Sequence, residues 1–158
     1  MASNHLSYLD PIALGIANPR KLSFMAKKDL FKNRFFSKLL SAVNAMPLKR
    51  NQADLSALKG AIKRLKEGSA MVLFPEGSRT SQRAHPGVAF LAISAGVPIV
   101  PARIQGTDIA LPKGSRFIRP TKITVYFGEP IVLEGRCKPN YPEIAQEVMS
   151  RIRNLTCG

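Results

Sequence analysis

Apolar positions along the chain fall into short continuous runs that alternate with segments of helical spacing. The clearest helical segment is 54–67, where Leu55, Leu58, Ala61, Ile62 and Leu65 share one face. Asp54 stands at its capping position and Gly68 follows its last turn. Ala70, Met71, Val72, Leu73 and Phe74 come next, apolar throughout and too few for a helix, which is the pattern of a buried strand. Residues 87–95 read as a helix and 97–104 as extended, with Pro98 and Pro101 marking strand ends or an edge. A further strand is expected over 123–127, and a closing helix over 141–155 with Ile144, Val148, Ile152 and Leu155 on its apolar stripe. Earlier in the chain, Asp10 and Pro11 mark a helix start, 23–26 a short strand, 30–42 a basic amphipathic helix and 43–48 another extended piece. This alternation predicts an α/β fold in one domain, residues 1–158, with a mixed, mainly parallel sheet layered by helices. In such folds ligand sites lie where strands end and loops begin.

Charge narrows the class of partner. Twenty-four Lys and Arg face ten Asp and Glu, a formal net charge of +14. The partner is therefore expected to be anionic: acidic lipid headgroups, nucleic acid, or a phosphorylated or coenzyme A substrate. The excess concentrates between Arg20 and Arg50, where nine basic residues face the single acid Asp29. Phe24, Met25, Leu30, Phe31, Phe35, Phe36, Leu39 and Leu40 are interleaved with those charges. A plain solvated basic face would also carry such a run, but bulky apolar residues among the charges suit the headgroup boundary of an anionic membrane better. No stretch approaches the ~18–20 apolar residues of a spanning helix, and the first residues form no secretory signal. The expected location is thus peripheral, on the cytoplasmic face of a membrane. Cys137 and Cys157 lack CxxC spacing and a neighbouring histidine, which suggests neither a zinc site nor a disulfide framework.

Two segments carry candidate chemistry. In the first, Asp10 follows His5 by five residues, close enough to bond one imidazole nitrogen across a turn and leave the other as a base near neutral pH. No matching enzyme nucleophile is evident, so the base would act on a hydroxyl of the substrate. In the second, Glu76, Gly77, Ser78, Arg79 and Thr80 follow the apolar run directly. Glycine there allows close backbone approach to a ligand, and Arg79 offers a planar fork for phosphate or carboxylate. Arg50, after Met46, Pro47, Leu48 and Lys49, is a third candidate phosphate ligand. His85 reads as a loop residue rather than a second base.

Taken together and in this order, these blocks resemble the glycerophospholipid acyltransferases. His5 and Asp10, preceded by Asn4, match that family's His-x4-Asp dyad; residues 46–50 match its second block, 74–80 its third, and 97–101 its proline-containing fourth. Gly106 and Thr107, and the segment 128–131, resemble further recurring features. The resemblance implies transfer of an acyl group from acyl-CoA or acyl carrier protein to a free hydroxyl of a lysophospholipid, foremost 1-acyl-sn-glycerol-3-phosphate, giving phosphatidate. His5 and Asp10 would be catalytic. Arg50, Glu76, Gly77, Ser78, Arg79 and Thr80 would bind substrate, with no metal and no cofactor beyond the acyl carrier. Only three residues precede Asn4, so an anchor seen in relatives is expected to be absent from this sequence or to lie upstream. Two other readings compete: a non-enzymatic basic module binding anionic membrane or nucleic acid, and an inactive truncated relative. The ordered blocks favour the enzyme, and RNA-binding aromatic signatures are not evident, so nucleic acid is not an expected partner.

Overall fold

The computed structural model describes residues 1–27, 32, 45–48, 55–77, 84–115, 117–133 and 139–156. Its strands are β1 (Ala2–Ser3), β2 (Leu22–Lys27), β3 (Ala45–Leu48), β4 (Ala70–Val72), β5 (Pro101–Gln105) and β6 (Thr124–Phe127). Its helices are α1 (Asp10–Ala17), α2 (Leu55–Lys66), α3 (Gly87–Ala95), α4 (Thr107–Ala110) and α5 (Tyr141–Asn154). The expected basic helix at 30–42 apart from Lys32, together with Asp54, Arg50, Ser78, Arg79, Thr80 and both cysteines, lies outside the described residues.

Strands β3, β2 and β4 pair in that order and in parallel, while β1 pairs in parallel with β5, and β5 antiparallel with β6. A parallel bridge between Ala2 and Leu73 joins the two groups, giving the continuous order β3-β2-β4-β1-β5-β6. The amide of Ser3 donates to the Leu73 carbonyl at 3.1 Å, so the two-residue β1 fills the gap between β4 and β5. The architecture is the mixed α/β sheet that the alternating pattern predicts, and only β6 among these strands runs against the rest.

Period-2 alternation sends successive side chains to opposite layers. Leu22, Phe24, Val72, Ala102 and Ile104 pack with Leu14 of α1 on one face. On the other, Met71 joins Ala61 of α2 and Leu91 of α3. Ala2 joins α3 and the stripe Ile144, Ala145, Val148, Met149 and Ile152 of α5. Arg103 reaches past that layer, donating to the carbonyls of Arg153 and Leu155 at the end of α5, where carbonyls lack helical partners.

Four expectations need correction. Phe24 is buried in the sheet and Met25 packs against the α2 layer, so neither faces lipid; both sit in a strand whose side chains alternate into two cores. Leu55 stands at the first turn of α2 with 64% of its surface exposed, outside the contact that Ala61 makes. Residues 97–100 precede the strand rather than form it: Ile99 makes an isolated bridge to Ile131, and β5 begins at Pro101. Leu155 lies past the last turn of α5, which ends at Asn154.

Ile152→Ala should therefore cost about 2–5 kcal/mol, the range for deleting a buried branched side chain, while Leu55→Ala should change stability by less than about 0.5 kcal/mol. Urea unfolding midpoints check the contrast; equal effects would mean that the α5 stripe is not the core.

Candidate active site

Three parallel strands end at the same edge of the sheet, and each delivers one part of the site. Asn4 follows β1 and extends its ladder with a side chain. Its Nδ2 donates to the Ile104 carbonyl at 2.9 Å and its Oδ1 accepts from the Ile104 amide at 2.7 Å. An amide group that copies a backbone rung pins the chain just before His5 and frees the next residues to turn out of the sheet. Those residues wrap around Asp10. One carboxylate oxygen, Oδ2, accepts from the Leu6 amide (2.6 Å) and the Ser7 amide (2.8 Å), and lies 2.7 Å from Nδ1 of His5. The other, Oδ1, accepts from the Thr107 hydroxyl at 2.6 Å.

Asp10 and Thr107 are fully buried, whereas His5 keeps 19% of its side chain exposed. The sequence places Asp10 to cap the helix it begins, but the capping position is Leu9 and makes no side-chain cap bond. The carboxylate instead turns back to the preceding loop and across to α4. A carboxylate only accepts, so His5 must carry its hydrogen on Nδ1, leaving Nε2 with a lone pair. Such a histidine can take a proton from a substrate group and return it.

Strand β4 supplies the second part. Phe74 stacks on the His5 ring with centroids 4.2 Å apart and an interplanar angle of 20°, which fixes the imidazole plane. The chain then turns: the Gly77 amide donates to the Phe74 carbonyl at 2.9 Å, and Glu76 Oε2 accepts from the His5 amide at 3.2 Å. Gly77 has φ of +65°, and a Cβ there would lie 2.7 Å from the ring of His85. The backbone conformation favours glycine there, and any side chain would have to displace the His85 ring. The returning chain is tied where the His85 amide donates to the Pro75 carbonyl at 2.8 Å. His85 is a loop residue, as its sequence context implies, and it also forms one wall of a cleft of about 800 Å³ against Gln146, Met149 and Arg153 of α5. Burial holds the Glu76 carboxyl above the usual carboxylate range, and the His5 amide and the charges of His5 and Arg153 only partly offset it.

Strand β5 supplies the third part through Gly106 and Thr107. Gly106 has φ of +89°, and a side chain there would run into the Lys122 carbonyl, so the turn aims Thr107 at Asp10. Thr107 is the member of the cluster that spacing does not reveal, being 97 residues from Asp10. Its only signal in the sequence is the Gly-Thr pair after an extended run. The structure thus brings together His5, Asp10, Glu76 and Gly77 of the expected site residues.

Fold and site define an α/β protein whose sheet edge presents an imidazole oriented by a buried carboxylate. The acyltransferase family profile matches residues 1–105, and the chain belongs to that family. It is 34% identical over 83% of its length to the 1-acyl-sn-glycerol-3-phosphate acyltransferase of Bacillus subtilis (strain 168), covering 65% of that protein. It is 33% identical over 97% of its length to the enzyme of the same name from Streptococcus pneumoniae (strain ATCC BAA-255 / R6), covering 57% of it. The crystal structure of the 1-acyl-sn-glycerophosphate acyltransferase PlsC from Thermotoga maritima superposes with a TM-score of 0.73 at 26% identity, over 99% of this chain and 66% of that one. The chain thus spans no more than about two thirds of the length of these relatives.

Because burial raises the Glu76 pKa, its ionised form weakens the fold once pH exceeds the ordinary carboxylate value, and that cost is absent when the group is protonated. Glu76→Gln, which keeps an acceptor for the His5 amide, should melt higher than the parent at about pH 7, with the gap closing near pH 4. Melting curves at the two pH values check this; a gap that widens in acid would contradict it.

Proposed function

We propose that this chain transfers an acyl group from a thioester donor, acyl-CoA or acyl carrier protein, to a free hydroxyl of 1-acyl-sn-glycerol-3-phosphate. The observation that carries the reading is the His5–Asp10 pair at 2.7 Å, with the carboxylate fully buried and the imidazole partly open. The two curated relatives described above, both named for this activity, support the choice of acceptor.

In this reading Nε2 of His5 removes the hydroxyl proton as the oxygen attacks the thioester carbonyl. The tetrahedral intermediate collapses by breaking the carbon–sulfur bond, and the imidazolium returns its proton to the departing thiolate. An ester and a thiol result, with no net change in protons. Asp10 holds Nδ1–H toward itself throughout and stabilises the imidazolium between the two proton transfers. Thr107 and the two loop amides keep Asp10 in place, and Phe74 keeps the ring from rotating. Arg50 and Arg79, assigned from their sequence blocks, would hold the acceptor phosphate with the Glu76–Gly77 turn, and Ser78 and Thr80 are assigned to substrate binding from the same block. Base catalysis is worth on the order of 10²–10⁴ in rate, so positioning by these phosphate ligands must supply much of the remainder.

His5→Ala should lower the rate of thiol release from acyl-CoA with lysophosphatidate by at least about 10²-fold, while lysophosphatidate binding, read by calorimetry, stays near the parent value. Retention of more than a few per cent of activity would remove His5 as the base. Arg50→Ala and Arg79→Ala should raise the acceptor KM with a smaller effect on kcat; unchanged acceptor KM in both would place the phosphate elsewhere.

Thr107→Val deletes the donor to Asp10 without changing side-chain volume much. It should lower kcat about tenfold, the effect of one lost hydrogen bond to a charged group, with acceptor KM little changed. Thr107→Ser should restore kcat. Equal losses in both variants would mean that Thr107 serves packing rather than the orientation of Asp10.

A further inference from the structure

The loop between α4 and β6 plays no part in the chemistry above, yet it has an unusual composition. Residues 111–123 hold four basic side chains, Lys113, Arg116, Arg119 and Lys122, and no acid; the nearest acids are Asp108 and Glu129. In its middle stand Phe117 and Ile118, exposed by 81% and 65%. Two adjacent bulky apolar side chains so exposed are costly in water. The backbone does not leave them there by slackness. Ser115 donates its amide to the Pro112 carbonyl at 3.0 Å, and its hydroxyl accepts from the Phe117 amide at 3.2 Å. The Arg119 amide donates to the Ala110 carbonyl at 2.7 Å, closing the loop against α4. A built turn presents these two residues outward.

Topology fixes the edge of the sheet at which the loop sits. The loop leaves the end of β5 through α4 and enters β6 at Thr124, which pairs with Gln105. Both its ends are therefore at the sheet edge that carries His5. The Ser7 hydroxyl donates to the Leu111 carbonyl at 3.0 Å, joining the loop to the His5 turn directly. Leu6 and Tyr8 on that turn, and Ile109 on α4, are exposed large apolar residues as well.

We propose that the 111–123 loop docks this edge of the molecule on an anionic lipid bilayer, with Phe117 and Ile118 entering the headgroup boundary and Lys113, Arg119 and Lys122 meeting lipid phosphates. Charge complementarity selects the lipid: an acid-free loop in a chain of net charge +14 gains from an anionic surface. The aliphatic residues select a bilayer over nucleic acid, because Ile118 and Ile109 gain from hydrocarbon and offer no ring for base stacking. The further consequence, that an amphiphilic acceptor would pass from the bilayer to His5 without crossing water, rests on the acyl-transfer reading; the docking does not.

The chain has no tryptophan, so Phe117→Trp creates a single fluorescent reporter, and Val132→Trp, at a position exposed by 62% and reached from the opposite end of β6, creates a control. Vesicles of phosphatidylglycerol mixed with phosphatidylcholine should shift the indole emission of the F117W protein to the blue and leave that of the V132W protein unchanged. Pure phosphatidylcholine or high salt should weaken the partition about tenfold or more. The double variant F117S/I118S should bind anionic vesicles about tenfold less tightly and keep the parental rate on a short-chain, monomeric lysophosphatidate. Equal shifts at both reporters, a shift with single-stranded RNA but not with vesicles, or parental vesicle binding by the double variant would overturn the proposal. Docking by a parent chain that transfers no acyl group would uphold the surface and count against the function instead.

Discussion

The Asp10 carboxylate is the point on which the rest of the site depends. Four donors converge on it, two loop amides, the His5 ring and the Thr107 hydroxyl, and no water-facing surface is left. A buried charge is tolerated only when its acceptor sites are filled. The same bonds that make the burial tolerable fix the 4–10 loop, tie it to α4 and set the imidazole tautomer. Removing one donor therefore disturbs more than one contact, because the group left behind has no solvent to turn to.

The sheet explains how so short a segment can hold a reactive histidine. Strand β1 is two residues long, yet it lies between β4 and β5 and is bonded on both sides. Asn4 then adds one more rung with its side chain. His5 is thus anchored by the centre of the sheet, and its ring rests on Phe74, which leaves the neighbouring strand. The carboxyl edge of the parallel strands gathers all three supports, which is where α/β folds place ligands.

What could be read from the sequence follows from range. Residues 54–67 and 141–155 carry enough turns to show a period, and helices stand there; 87–95 is helical too, although it is apolar almost throughout. Strand β1 and helix α4 are too short to show any period, and both are essential to the site. The His5–Asp10 pair is legible because it is local. Phe74 and Thr107 are not, because stacking and the second carboxylate bond arise only when the sheet brings distant segments together. Asp10 shows the ambiguity well: an aspartate before a proline signals a helix cap, and the long-range partner at Thr107 takes the carboxylate elsewhere. Phe24 misleads for a related reason. Its basic neighbours suggest a membrane face, while the strand period buries it.

Everything proposed for His5 requires that the buried Asp10 hold the hydrogen of the neutral ring on Nδ1 and leave the lone pair on Nε2. With only His5 and His85 in the chain, imidazole ¹⁵N spectra of the labelled protein resolve this directly, His85→Gln giving the assignment. In its neutral form His5 should show a protonated Nδ1 and a bare Nε2, with the Nδ1 proton shifted far downfield by its carboxylate bond. A protonated Nε2 on neutral His5 would contradict the account, since the nitrogen assigned to catalysis would then have no lone pair to offer.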